Sequence, residues 1–506
     1  MKRYPIGIQD FGKIRREGYV YVDKTEQIHR LLEQGSYYFL ARPRRFGKSL
    51  LLSTLKELYS GNAALFEDLW IAKHWDFAAR QRPVIWLRLA KLDYKNLGLF
   101  AALHAEIKQL ATRFEVTLRG LSMVSDFGEL IEAVGRKQRV VLLIDEYDKP
   151  VIDYLEEPAK LAENQAVLKS FYSVLKDNDP YLELIFITGV AAFTKVSIFS
   201  DLNHISNITL NPASYTLLGI TQRELEHYFA EELAEEDPDK VRQWYNGYSW
   251  GGDERVYNPF SLLGFLRSRV YENFWFESGT PTFLVNRLRH EKLYRLEQRD
   301  APRSTLVSFH LPRPDIDSLL FQTGYLTVVA RDPHIQQRYT LNYPNREVRQ
   351  SFDQLLLAAY LDGTESTAMT KVYGLLDAFR QNDTAHIITV LNSTFAELPY
   401  EFWQRDDEHF FHAVIHLLFN LVGVHIRSEV HAFRGRCDAI VETDTHVYAF
   451  EFKRNASARA ALDQIAERGY LTPFAQDGRE RVAIGINFDT AQRQIKDWQV
   501  TTLPKA

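Results

Sequence analysis

The sequence predicts an α/β protein in two parts: an N-terminal domain on a parallel sheet and a C-terminal α/β domain, with mostly helical chain between them. Three observations predict it. Short apolar runs in the N-terminal part alternate with helical stretches, the pattern of a parallel sheet with helical crossovers. The middle carries leucines at helical spacing. The C-terminal part reads helix, strands, helix, strand, with Asp438 at the head of one strand and Glu451 on the face of the next. At 506 residues the chain exceeds what one core usually supports, so several domains are expected.

Composition narrows the function classes. Hydrophobic residues make up 45% and charged residues 25% of the chain, as in a soluble globular protein. A net charge of −5 gives no bulk attraction to nucleic acid or an anionic membrane, so any such contact needs a local patch. Cys437 is the sole cysteine, which excludes an intrachain disulfide and a Cys-rich zinc site and suits a reducing compartment. The start, MKRYPIGIQDFGKIRREG, lacks the apolar core of a signal peptide, and no apolar run is long enough for a bilayer. The expectation is a cytoplasmic protein without a membrane partner.

The first element is the strand-like Tyr37–Ala41, followed by RPRRFGKSLL from Arg42. A phosphate loop reads G-x-x-x-x-G-K-[ST]. Gly47, Lys48 and Ser49 fit its end, and Arg42 stands at its first glycine. LLLSTLKELYSG then reads as a helix, so the loop lies between strand and helix, where free backbone N–H groups favour an anion. On ATP, Lys48 would reach the β- and γ-phosphates and the Ser49 hydroxyl would ligate Mg²⁺. VVLLIDE, ending at Glu146, is a buried strand that delivers two carboxylates: Asp145 to hold Mg²⁺ and Glu146 to orient or deprotonate water. Asp148, close to Pro150, is read as a helix N-cap or a metal ligand. VIWLRL (84–89) and LIFITG (184–189) complete the sheet. Thr188 would sense the γ-phosphate, and Lys195 is a weaker candidate.

In the middle, Thr221 and Glu224 form a capping-box pattern at the head of an amphipathic helix. The aromatics of WYNGYSWGG are expected to pack a helical lid. Residues 321–348 read as a hairpin turning at Asp332-Pro333 within a winged-helix-like module. Residues 349–404 read as connecting helices.

The last stretch carries a second constellation. Glu408 opens an apolar helix, Asp438 heads a strand, and Glu451 and Lys453 share one strand face because side chains alternate. An Asp followed by Glu-x-Lys is the PD-(D/E)XK pattern. Cleaving a phosphodiester asks for Mg²⁺, and a hard cation asks for carboxylate oxygens. Asp438 and Glu451 are therefore the expected ligands, with Glu408 for a second metal position and Lys453 to position the nucleophile or stabilise developing charge. Arg434 and Arg436 would touch backbone phosphate, and Glu429 would lie near the metal. The His412 and His416 pair is read as packing.

YVDKT (21–25), RPRRFGKS, LLIDEYDKP, ITGV with KVSIFSDLNHISNIT, and WYNGYSWG with VYNPFSLL together resemble AAA-ATPase-like proteins that carry a C-terminal PD-(D/E)XK nuclease domain. The likeness covers nearly the whole chain. It implies a phosphate loop of variant form, with Arg42, Arg44 and Arg45 adding charge near the phosphates. It also implies that the 21–34 segment lies near the adenine and that Gln464 faces the nuclease site, where Tyr470 falls too late for the usual Q-x-x-x-Y partner. The implied domains are an ATPase domain at 1–212, lid and winged-helix-like region at 213–348, helical linker at 349–404 and nuclease domain at 405–506. The implied function is an ATP- and Mg²⁺-using nuclease gated by ATP, acting on nucleic acid (DNA before RNA), with homo-oligomerisation as a further expectation. The alternative is an ATPase switch whose nuclease fold does not cleave and serves nucleic-acid or partner binding.

Overall fold

A computed structural model describes the chain except residues 1, 193–204, 276–281, 292, 310, 312–313, 336, 399–407, 424–426, 429–438, 477, 490–491, 493 and 504–506. For residues 282–283, 408–412 and 427–428 it describes the backbone alone. The chain forms two compact units, Met1–Glu277 with Leu296–Val348 and Ser278–Arg295 with Arg349–Ala506.

The first unit is built on five strands: β1 (Tyr37–Ala41), β2 (Val84–Arg88), β3 (Val140–Asp145), β4 (Leu182–Gly189) and β5 (Ser206–Asn207). They are all parallel, in the order β2-β3-β4-β1-β5. Every residue of β3 is buried, which is why it reads as an unbroken apolar run. The Lys48–Tyr59 helix leaves the loop after β1. Gly47 caps it at φ +94°, a left-handed turn that glycine takes without strain.

Beyond the sheet, β6 (Ile220–Thr221) pairs antiparallel with β7 (Val256–Tyr257), and the lid helices Gln222–Tyr228, Pro238–Tyr245 and Pro259–Ser268 bury a cluster that includes Leu225, Phe229, Tyr245 and Phe265. The Thr221–Glu224 capping box forms as expected. The aromatics of WYNGYSWGG do pack the lid, and two of them also press on the loop after β1: Phe46 meets Tyr248 at 4.8 Å and Trp250 at 5.6 Å.

The winged-helix-like module has one strand more than the expected hairpin. β8 (Arg299–Pro302) joins β9 (Thr327–Arg331) and β10 (Arg338–Asn342) in the antiparallel order β8-β10-β9. RDAP carries no alternation and ends in proline, so only its pairing reveals it. Two of the arginines here are paired with carboxylates. Arg299 donates to Asp317, at 3.2 Å from Nη2, and Arg338 pairs with Asp300 and, at 3.9 Å, with Asp332.

The second unit holds a mixed sheet of β11 (Arg427–Ser428), β12 (Ala439–Glu442), β13 (His446–Arg454), β14 (Glu480–Asp489) and β15 (Gln494–Leu503), in that order. RVAIGINF, expected as the final strand, is followed by β15, whose largely exposed edge hides its strand signal. The Glu365–Arg380 and Thr384–Ala396 helices, expected as connectors, pack on this sheet. Phe379 meets Tyr448 at 5.2 Å and Phe395 meets Phe488 at 5.0 Å. Asn392 exchanges hydrogen bonds with the main chain of Ile495. Among the described residues no helix is long and apolar enough to cross a membrane.

Candidate active sites

In a parallel sheet, residues at the C-terminal strand ends share one edge, where ligands ordinarily bind. β3 and β4 each deliver a polar group there, and the segment after β1 delivers a third. Thr188 at the end of β4 donates its hydroxyl to Oδ1 of Asp145 at the end of β3, over 2.8 Å, and both are buried. From the head of the helix after the β1 loop, Lys48 folds its ammonium back onto the carbonyls of Arg42 at 2.8 Å and Pro43 at 2.9 Å. Burial lowers the Lys48 pKa, and the carboxylates of Asp148, Asp145 and Glu146 oppose that shift. Lys48 therefore lies within the field of all three acids. Ser49 follows it in the first turn of the helix.

Glu146 has φ +51°, a left-handed conformation that is costly for a residue with a side chain. Burial and then the neighbouring Asp145 raise its pKa, while Lys48, Lys149 and Arg44 hold it down. A carboxyl raised in this way is better suited to accept a proton than an ordinary glutamate. Asp148 occupies the cap position of the Lys149–Ile152 turn, yet its carboxylate makes no capping bond. It instead accepts the N–H groups of Val190 at 2.7 Å and Ala191 at 2.6 Å, fixing the chain that leaves β4. Its burial pushes its pKa up to about 6.

The three arginines of the loop part company. Arg44 is exposed, and its charge acts on Lys48 and Glu146. Arg45 donates to the carbonyl of Phe274 at 2.8 Å and lies 3.6 Å over the Phe260 ring, on the lid side. The expectation that Arg42 lends charge to phosphates is corrected: its guanidinium is buried and engaged by the carbonyls of Ala41, Thr209 and Ser214, and only its own carbonyl meets the Lys48 ammonium. Lys195 lies outside the described residues.

In the second unit, Glu451 and Lys453 share one face of β13 and meet, Nζ to Oε1, at 3.2 Å. Lys453 also donates to Oε1 of Gln464 at 2.5 Å, and the Gln464 amide N–H₂ donates back to Glu451 Oε1 and to the Tyr470 hydroxyl, the latter at 3.3 Å. Only one orientation of the amide serves the ammonium and both oxygens together. Tyr470 thus partners Gln464 despite its late position. The Ala458–Arg468 helix comes close enough for this because Gly485 pairs with Glu451 on β14. A Cβ on Gly485 would lie 2.3 Å from the carbonyl of Ala458. Asp438 lies outside the described residues, as do Glu429, Arg434 and Arg436; the next residue, Ala439, pairs with Phe450, beside Glu451. Glu408 starts the Glu408–Gly423 helix, and its side chain is likewise outside the described set.

Two family models match these two regions: a predicted AAA-ATPase, AAA-ATPase-like, over residues 5–199, and the PD-(D/E)XK nuclease superfamily over residues 406–498. A relative from Azotobacter chroococcum mcd 1, described as an uncharacterized protein in the vnfD 5' region, is 38% identical over 521 residues, covering 99% of each chain. The chain is an AAA-ATPase-like protein with a C-terminal PD-(D/E)XK nuclease domain. No solved structure matches it.

The AAA-ATPase-like unit also holds residues that sequence reasoning passed over. An apolar cavity of about 680 Å³, counting space open to solvent, borders Gly47 and the Lys48–Tyr59 helix and is walled by Tyr21, Ile28, Leu51, Leu217 and Leu263. Its charged wall residue, Lys24, is engaged elsewhere: the ammonium binds both oxygens of Glu224, at 2.6 and 2.7 Å, and the carbonyl of Thr216. Asp23 accepts the N–H of Thr25, the first residue of the Thr25–Leu32 helix, over 2.8 Å, and also that of Trp70. YVDKT is therefore a set of ties around the cavity. The capping box at Thr221 was the visible signal that Glu224 mattered. Its second partner lies about two hundred residues away and has no local signature.

Proposed function

We propose that this protein is an ATP-gated, Mg²⁺-dependent nuclease: ATP held by the first unit controls cleavage of nucleic-acid phosphodiesters, DNA before RNA, by the second. The observation that carries the reading is the closed hydrogen-bond set Glu451–Lys453–Gln464, found in the same chain as the helix head at Lys48 and the strand-end pair Asp145–Thr188. The apolar cavity beside Gly47 would take the adenine. Lys48 would exchange the carbonyls of Arg42 and Pro43 for β- and γ-phosphate oxygens, which are stronger acceptors. Gly47 gives the backbone room beside the phosphates, and Arg44 stands exposed for them. Arg45 enters the reading only through the lid. Ser49 and Asp145 would hold Mg²⁺, Thr188 would keep Asp145 aimed, and Glu146 would take the proton of the attacking water. In the second unit Asp438, Glu451 and Glu408 would hold Mg²⁺ by the hard-oxygen character of their carboxylates. The ion supplies charge neutralisation at the phosphate and a more acidic water. Lys453, set by Glu451 and Gln464, would place its ammonium on the developing charge. Self-association belongs to the same reading.

The test is purified protein with a panel of DNA and RNA, Mg²⁺, and ATP present or absent. Cleavage that depends on Mg²⁺ and changes with ATP is expected, as is its loss in Lys453→Ala with binding kept. Binding without cleavage in every nucleotide state would instead favour the non-cleaving switch.

A further inference from the structure

Arg42 stands where a phosphate loop ordinarily has glycine, yet it is 1% exposed. From Nη1 it donates to the carbonyls of Ala41 and Thr209, both at 2.9 Å. From Nη2 it donates to Ser214, at 2.8 Å to the carbonyl and 3.2 Å to the hydroxyl. Its guanidinium carbon lies 3.8 Å from the centroid of the Trp250 ring. Among the described residues no carboxylate pairs with it. A planar fork that binds carbonyls edge-on and stacks on indole with its face suits arginine and no other side chain.

The main chain of the same residue points elsewhere. Its carbonyl accepts the Lys48 ammonium at 2.8 Å, and its N–H donates to the carbonyl of Gly189 at 3.1 Å, one residue past Thr188. Arg42 thus joins three things: the lysine of the loop, the end of β4, and the Ser214 and Trp250 segments around the lid. A triphosphate competes for the Lys48 ammonium with charge-assisted bonds that neutral carbonyls cannot match. When the ammonium leaves, the Arg42 carbonyl loses its partner and the loop main chain must readjust, because a buried acceptor is costly to leave unmatched.

We propose that Arg42 is a positioning residue that transmits occupation of the loop by a nucleoside triphosphate to Trp250 and the Ser214 segment. The inference rests on the ATP reading above, and its failure can be told from failure of that reading. The probe is the non-hydrolysable ATP analogue adenylyl imidodiphosphate with Mg²⁺, and the readout is amide hydrogen exchange in the Trp244–Tyr257 peptide of the full chain. In the natural protein the analogue is expected to change exchange there by about threefold or more. Arg42→Lys keeps the charge but loses the fork and stack. It is expected to bind the analogue within about threefold of the natural affinity, to lose the exchange response, and to lower kcat with KM held. Trp250→Leu removes the stack from the other end and is expected to do the same, so it decides the matter should Arg42→Lys fail to fold. Natural protein that binds no analogue overturns the ATP reading. Binding with no exchange response in that peptide, or a full response in either variant, overturns the role of Arg42 alone.

Discussion

Thr188 gives its hydroxyl to Oδ1 of Asp145 across 2.8 Å, tying the end of β4 to the end of β3. Valine has nearly the same shape and no donor. Thr188→Val should leave Asp145 with a buried oxygen short of one partner, costing about 1–3 kcal/mol of stability. ATP turnover should fall with KM little changed, since the aim of the carboxylate matters more to the reaction than to binding. Steady-state kinetics with a urea titration checks both; unchanged kcat would remove Thr188 from the site.

Gln464 links Lys453, Glu451 and Tyr470. Lys453→Ala should abolish cleavage, and Gln464→Ala should lower it strongly without weakening nucleic-acid binding, because the ammonium loses its second anchor. Tyr470→Phe, which removes only the last acceptor in the chain, should be the mildest. A cleavage assay beside a binding assay ranks the three; equal activity in Gln464→Ala would sever the amide from the chemistry.

The buried Lys24 and the half-buried Glu224 form an ion pair at the cavity wall. Breaking it from one side strands the other charge, which in this partly buried setting costs on the order of 2 kcal/mol, below the figure for a fully buried pair. Lys24→Met should therefore lower stability more than the double variant Lys24→Met with Glu224→Leu, and both should raise KM for ATP. A double-mutant cycle by thermal unfolding measures the coupling, and additive losses would show that the pair is not coupled.

Glu347 is 1% exposed, and burial lifts its carboxyl from the usual 4.5 to about 7. A folded-state value above the unfolded one means that its stabilising contribution is complete below about pH 4.5 and is lost as pH climbs through about 7. Between pH ~5 and ~8 the natural protein should lose on the order of 3 kcal/mol relative to Glu347→Gln, whose amide oxygen still accepts the Trp275 N–H. Urea unfolding of the two proteins across that range reads the difference; parallel curves would place the carboxyl at its ordinary value.

Much of this was legible because local chemistry repeats at fixed spacing. The strand–loop–helix around Gly47 to Ser49, the carboxylates after a buried strand, and Glu451-x-Lys453 on one face each announce themselves within a few residues. What stayed hidden depends on distant partners. Arg42 reads in sequence as one more cation of the phosphate loop and is buried because Thr209, Ser214 and Trp250 fold over it. Tyr470 reaches Gln464 because the chain turns after the helix, at Gly469 in a left-handed conformation, which no fixed spacing encodes. β8 and β15 lack alternation because they are edges with one partner each.

The arginines of the wing that are already paired bear on how this molecule meets a polyanion. With Arg299 held by Asp317 and Arg338 by Asp300 and Asp332, those side chains are compensated at home and have few counterions to displace from a duplex. The steepness with which binding weakens as salt is added should therefore be insensitive to Arg338→Gln, although a winged-helix-like shape invites the opposite guess.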